Sequence, residues 1–197
     1  LAVSNIKYID RLSSDELRKQ YPELKGLDLV HVDVIDNGEM LAKIEDESLD
    51  FIIANHFIEH TRNPIGTIEN WLSKLKSGGI IFMAIPNKLH TFDRKRQLTS
   101  LNHLISDYSH SREDRFTDDR QHFIEWATFV DEVPDKDVKA HVKHLLEIDY
   151  SIHFHTFTMQ SFLELLIYMN TERRFPFRIK ACIDNSEEFL IVLMREN

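Results

Sequence analysis

Residues 50–60 read DFIIANHFIEH, and two chemistries meet in them. The tail His56-Phe57-Ile58-Glu59-His60 has the spacing H-x-x-E-H. In a helix these three polar side chains share one face at i, i+3 and i+4, and two imidazoles with a carboxylate are sound zinc-hydrolase ligands. The competing reading takes DFIIAN as a buried strand that delivers Asn55 and His56 to a polar loop, the place where open α/β sheets bind small ligands. The zinc pattern needs about two helical turns, or roughly 7 residues. Here the strand ends at about Asn55 and Asn63-Pro64 already starts a new helix, so only a short turn fits between them. A five-residue pattern also arises by chance in a chain with eleven histidines. Zinc hydrolysis through His56, Glu59 and His60 is therefore the third-ranked reading, and no metal is expected. Taken singly, Glu59 reads as a solvated acid and His60 as a locally packed histidine.

Three further sets of residues have chemistry-bearing types. The first is a series at the carboxyl ends of the apolar runs: Asp10, then Asp33, Asp36 and Asn37, then Asn55 and His56, then Pro86-Asn87-Lys88. An acid at such a strand end can accept both hydrogen bonds of a ribose diol. The second is His122 with Glu125, which flank the apolar face of a helix at i, i+3 and read as a base with its orienting carboxylate, or as a surface ion pair worth little. The third is IHFHTF (152–157), which puts His153 and His155 on one face of an extended segment without an identified third ligand.

The elements that position these residues follow from periodicity. IKYID (6–10) is a short strand. SSDELRKQ (13–20) opens with Ser13 and Glu16 in capping-box spacing, and Tyr21-Pro22 ends it. LDLVHVDVID (27–36) is a second strand. LDFIIAN (49–55) is a third, apolar on both faces as buried parallel strands are. Residues 63–76 form a helix capped by Asn63, with Pro64 first and Ile65, Ile68, Leu72 and Leu75 on one face, and Ser77-Gly78-Gly79 stops it. IIFMAIP (80–86) is a fourth strand. A charged section from about residue 87 to 157 carries helices at 101–108, 118–132 and 135–148 and is rich in histidine: His90, His103, His110, His122, His141, His144, His153 and His155. A helix over 158–169 buries Phe162, Leu165, Leu166 and Met169, and an antiparallel hairpin of 177–184 and 189–196 closes the chain. Alternating strands and helices of this kind predict an α/β fold with a mostly parallel sheet, one domain over residues 1–197, and a helical insertion at about 87–157.

Composition bounds the function. The 197 residues are 42% hydrophobic and 29% charged, an ordinary globular balance. The net charge of -9 argues against a nucleic-acid backbone as main partner. No apolar run is long enough to span a bilayer, so no membrane partner is expected. Cys182 is the one cysteine and reads as a buried structural thiol, which with the lack of any disulfide framework points to a cytoplasmic location.

KYIDR, VDVIDNGE, DESLDFIIANHFIEHTRNP and LKSGGIIFMAIP, followed by the terminal helix and hairpin, together resemble the class I S-adenosylmethionine-dependent methyltransferases over essentially the whole chain. The resemblance implies a Rossmann-like, doubly wound sheet and S-adenosylmethionine as cofactor. It implies that Asp10 binds the ribose hydroxyls, that Asp36 or Asp33 with Asn37 holds adenine, and that Asn55 and His56 line the methionine end. The pattern departs from the family in one place. The Gly-rich strand-loop-helix that precedes KYIDR in the family is missing, and LAVSN is too short to supply it, which would leave a gap between the strands at 6–10 and 49–55. An upstream segment that fills the gap is the expectation; the alternatives are a partner chain, as in a homodimer, or a scaffold without cofactor that acts through protein association. The expected activity is methyl transfer to a small-molecule or glycan-type acceptor.

Overall fold

The computed structural model describes residues 5–21, 24, 26–109 and 116–197. Residues 1–4, Pro22 and His110, all used in the sequence reading, lie outside that set. In chain order the elements are β1 (Ile9–Asp10), α1 (Ser14–Gln20), β2 (Val34–Ile35), β3 (Leu49–Asn55), α2 (Pro64–Lys74), β4 (Leu75–Pro86), α3 (Leu101–Ser109), α4 (Phe116–Phe129), α5 (Asp135–Glu147), α6 (Met159–Thr171), β5 (Phe177–Asn185) and β6 (Glu188–Arg195). Single 3-10 turns occupy Ile58–His60 and Phe92–Lys95. This is an α/β, Rossmann-like arrangement with a mixed sheet.

The strands form two groups. β1 and β2 pair in parallel, and β3-β4-β6-β5 form a four-stranded sheet in which β3 and β4 are parallel and the β5–β6 hairpin is antiparallel. Among the described residues no strand joins β1 to β3, so the interruption falls where the sequence pattern puts it. It also explains why β1 and β2 hold two residues each rather than the stretches 6–10 and 27–36: a parallel pair without a third strand is marginal.

Burial corrects a second expectation. β3 is not apolar-buried on both faces; Phe51 and Ile53 are exposed, while Ala54 is buried and Ile52 partly so. The fully buried face of the sheet carries Ile81, Met83 and Ile85 of β4 and Phe189, Ile191 and Leu193 of β6. Against it pack Ile65, Ile68, Trp71 and Leu72 of α2 and Phe162, Leu165, Leu166 and Met169 of α6. α1, which could cover the other face, buries none of its residues.

Helix α2 starts as its sequence dictates. The Asn63 Oδ1 accepts the Gly66 N–H at 2.9 Å, and Pro64 needs no partner at the first helical position. Replacing Asn63 by alanine is expected to cost about 1 kcal/mol in denaturant unfolding, since one N-terminal donor loses its partner. The helix ends two residues earlier than predicted, because Leu75 is already extended and opens β4. Leu75 pairs with Leu49 and Ile80 with Phe51, so the residues between form a bulge, and Gly78 takes the left-handed conformation (φ 78°) that it requires.

The insertion has its own small core. Phe123, Trp126 and Ala127 of α4 meet Val142 and Leu145 of α5, closed by Ile152 and Phe154. The segment 152–157 then returns to the sheet: Phe157 bridges to Asn87, and the Lys88 N–H donates to the Phe157 carbonyl at 2.9 Å.

Candidate functional site

The acids at the ends of β1 and β2 are held together by backbone. The Asp36 N–H donates to the Asp10 carbonyl at 3.0 Å, so the two residues sit at neighbouring strand ends. Their carboxylates have different tasks. Asp33 Oδ2 accepts the Tyr8 N–H at 2.8 Å, tying the two strands. Asp36 spends both oxygens on its own loop, accepting from the Asn37 and Lys43 N–H groups at 2.8 and 2.7 Å. The Asn37 Oδ1 accepts from the Glu39 N–H at 2.8 Å. Asp10 uses Oδ1 for the Leu12 N–H at 3.0 Å, and its second oxygen carries no hydrogen bond among the described residues.

The loop after β2 is stapled to the segment after β3. The Trp71 indole N–H donates to the Gly38 carbonyl at 2.8 Å, and a Cβ at Gly38 would fall 2.5 Å from the Phe57 ring. Only glycine permits that approach, which brings the Asp36-Asn37 loop beside the residue that follows His56. His56 itself is strained. Its φ of 49° is unfavourable for a side chain with a Cβ, and two bonds hold it there: its N–H to the Ala84 carbonyl and its Nε2 to Glu188 Oε2, both 2.8 Å. Asn55 remains in the ladder opposite Ala84.

His56 lines two clefts. One, of about 550 Å³, is bounded by Thr91, Asn185, Ser186, Glu187 and Glu188. The other, of about 620 Å³, includes His90, Phe92, Arg94, Lys95, Glu132 and His153. Asp10, Asp33, Asp36, Asn37 and Asn55 line neither. The structure thus brings Asp10 to Asp36, and the Asp36-Asn37 loop to Phe57, but leaves only His56 of the six on the clefts.

The H-x-x-E-H tail forms a 3-10 turn rather than a helix, and of its polar residues only His56 lines the clefts. Glu59 is buried, and among the described residues neither carboxylate oxygen has a hydrogen bond. Its Oε1 lies 3.8 Å from His56 Nδ1 and 3.9 Å from the Nε2 atoms of His60 and His153. Burial, aided by nearby Asp93, pushes the Glu59 carboxyl up to about 8. Burial holds His60 down to about 4, and its Nδ1 lies 2.8 Å from the Ile152 carbonyl. His153 Nδ1 is 2.6 Å from Asp93 Oδ2. Sequence spacing could not find this cluster, because His153 arrives from the far end of the insertion; the histidine–aromatic alternation of residues 152–157 is its only local sign.

His122 and Glu125 do not act on each other. The Glu125 carboxylate accepts from the Arg96 guanidinium at 3.0 and 3.2 Å and from the Gln97 N–H at 3.2 Å. His122 turns instead to His103, with their Nε2 atoms 3.3 Å apart.

A family model described as a methyltransferase domain matches residues 11–162, most of the chain. No curated protein matches the sequence. Solved structures resemble the chain at low identity. A Listeria monocytogenes protein described as an S-adenosylmethionine-dependent methyltransferase is 12% identical, with a TM-score of 0.50, covering 97% of this chain and 81% of its own. A Methanosarcina mazei protein of the same description is 18% identical, with a TM-score of 0.43 and coverages of 95% and 80%. One from Aquifex aeolicus is 11% identical, with a TM-score of 0.46 and coverages of 96% and 69%.

Proposed function

Because the chain belongs to the methyltransferase-domain family, whose members use S-adenosylmethionine, we propose that it transfers a methyl group to a small-molecule or glycan-type acceptor at the clefts around His56. The observation that carries this reading is the pairing of Asp10, with one uncommitted carboxylate oxygen, to the Asp36-Asn37 loop at adjacent strand ends. The donor set fits the adenosine half of the cofactor. Asp10 accepts the ribose hydroxyls, and the loop of Asp36 and Asn37, kept in shape by its own hydrogen bonds and with Asp33 tying its strand to β1, borders adenine. Asn55 and His56 border the methionine end. The bound cofactor supplies an electrophilic sulfonium methyl, and the protein's part is to orient the acceptor and exclude water.

The larger cleft supports this choice of acceptor class. At about 620 Å³ it suits a metabolite or one or two sugar rings. Exposed Phe92 offers a ring to stack on, and His90, Arg94, Lys95 and Glu132 offer donors and an acceptor to hydroxyl or acidic groups. With a net charge of -9, a polynucleotide is disfavoured. The half-buried free thiol of Cys182 agrees with a cytoplasmic location, and among the described residues no helix is long and apolar enough to cross a membrane.

The test is calorimetry of the full-length protein with S-adenosylhomocysteine. Saturable binding is expected, weakened about 10- to 100-fold by Asp10→Ala, since a charge-assisted pair of hydrogen bonds is lost. No heat of binding at millimolar ligand sinks the proposal; unchanged affinity in Asp10→Ala removes Asp10 from it.

A further inference from the structure

A second set of imidazoles converges inside the insertion, and none of its members lines either cleft. Helix α3 carries His103 and Asp107 one turn apart. Helix α4 supplies His122, and the returning segment 152–157 supplies His155. One ring nitrogen from each of the three histidines lies within 4.8 Å of the others. The measured edges are shorter where they are resolved: His103 Nε2 to His122 Nε2 is 3.3 Å, His103 Nε2 to Asp107 Oδ2 is 3.3 Å, and His155 Nε2 to Asp107 Oδ2 is 3.6 Å. Zinc held tetrahedrally at its usual bond lengths of about 2.0–2.1 Å needs ligand atoms roughly 3.3–3.4 Å apart. The His103–His122 pair already stands at that separation, and the His155 nitrogen lies within 4.8 Å of both.

His155 supplies an independent sign. Its side chain is 1% exposed, and neither ring nitrogen makes a well-formed hydrogen bond among the described residues, the Arg62 backbone giving only a poorly aligned one. A buried imidazole so poorly bonded costs the fold unless something takes a lone pair. A hydrogen bond between His103 and His122 would satisfy those two and leave His155 as it is. Burial, reinforced by the neighbouring histidines, keeps His122 down to about 3 and His155 well below its ordinary value.

We propose that His103, His122 and His155 bind one zinc ion that ties α3, α4 and the segment 152–157 together. Three imidazoles match the preferences of zinc over calcium or magnesium, which take oxygen donors. Three protein ligands leave one tetrahedral position open on the ion. Its effect is to hold the insertion against the end of β4, where residues 152–157 also pair with Asn87. The site does not depend on the cofactor assignment.

The test uses full-length protein purified without a histidine tag, stripped with chelator and titrated with zinc alone. Wild type is expected to take up about one ion per chain and to melt higher once loaded. His103→Ala, at a partly exposed position, is expected to fold and to bind zinc more weakly by more than the roughly 10- to 100-fold that loss of an outer-shell partner costs. It should also lose the zinc-dependent rise in melting temperature. Glu59→Gln, in the other histidine cluster, is expected to keep both. Failure of wild type to bind zinc overturns the proposal. So does equal binding by His103→Ala, or loss of the ion in Glu59→Gln with retention in His103→Ala, which would move the metal to Glu59, His60 and His153.

Discussion

Arg96→Met is expected to destabilise the protein by about 3–5 kcal/mol, because it breaks a buried ion network while leaving its acids in place. The Arg96 side chain is 1% exposed. It pairs with Asp93 at 2.8 Å and Glu125 at 3.0 Å, and it donates to the Phe154 carbonyl at 3.4 Å. Burial alone would raise the Asp93 carboxyl. Its bonds to His153 and Arg96 offset that and hold it below the ordinary range. Methionine keeps the length of the arginine stem but removes the charge, so Asp93 is left with His153 alone and Glu125 with the Gln97 N–H. The network joins the turn at Phe92–Lys95 to α4 and to residue 154, and its loss loosens the insertion over the larger cleft. Denaturant unfolding with the slope held as a check measures the change. A loss under about 1 kcal/mol would mean that the neighbouring groups reorganise or that water takes over the arginine's bonds.

The second large effect is a pH dependence set by Glu59. Its folded value of about 8 lies above the ordinary 4.5, so the folded state keeps a proton that the unfolded chain releases. Stability from this group is complete below about pH 4.5 and falls as pH rises towards 8, by about 1.4 kcal/mol for each pH unit at most. His60 acts in the opposite sense. Its folded value of about 4 lies below the ordinary 6.5, so its contribution is complete above pH 6.5 and is lost as pH falls towards 4. Between 4.5 and 6.5 the two oppose each other; above 6.5 Glu59 acts alone. Glu59→Gln keeps the shape without the acid. It is expected to match the wild type near pH 4.5 and to exceed its stability by several kcal/mol at pH 8 and above. Parallel stability–pH curves for the two proteins would show that the Glu59 carboxyl is not held neutral by the fold.

Much of the fold is readable from residue order. The Asn63-Pro64 start of α2, the Thr158 start of α6 and the apolar faces of both helices are local signals, because capping and helical period act within a few residues. The hairpin of β5 and β6 is readable for the same reason, whereas the position of the break in the sheet comes from the family resemblance. The lengths of β1 and β2 are not, since a strand extends only as far as its neighbour pairs with it. Nor is the open face of β3: Phe51 and Ile53 are apolar like their neighbours, and only the absence of a covering helix among the described residues exposes them.

The candidate site divides along the same line. Asp10, Asp36 and His56 stand at strand ends, and sequence alone determined that, since the end of an apolar run is a local property. Tertiary structure decided what each side chain faces. It gave the Asp36 carboxylate to its own loop, took Glu125 from His122 and gave it to Arg96, and split the H-x-x-E-H tail between a cleft and a buried pocket. It also assembled two histidine clusters from segments far apart in the chain. Such convergence leaves no spacing rule behind, because the return of residues 152–157 to the end of β4 depends on the packing of α4 and α5.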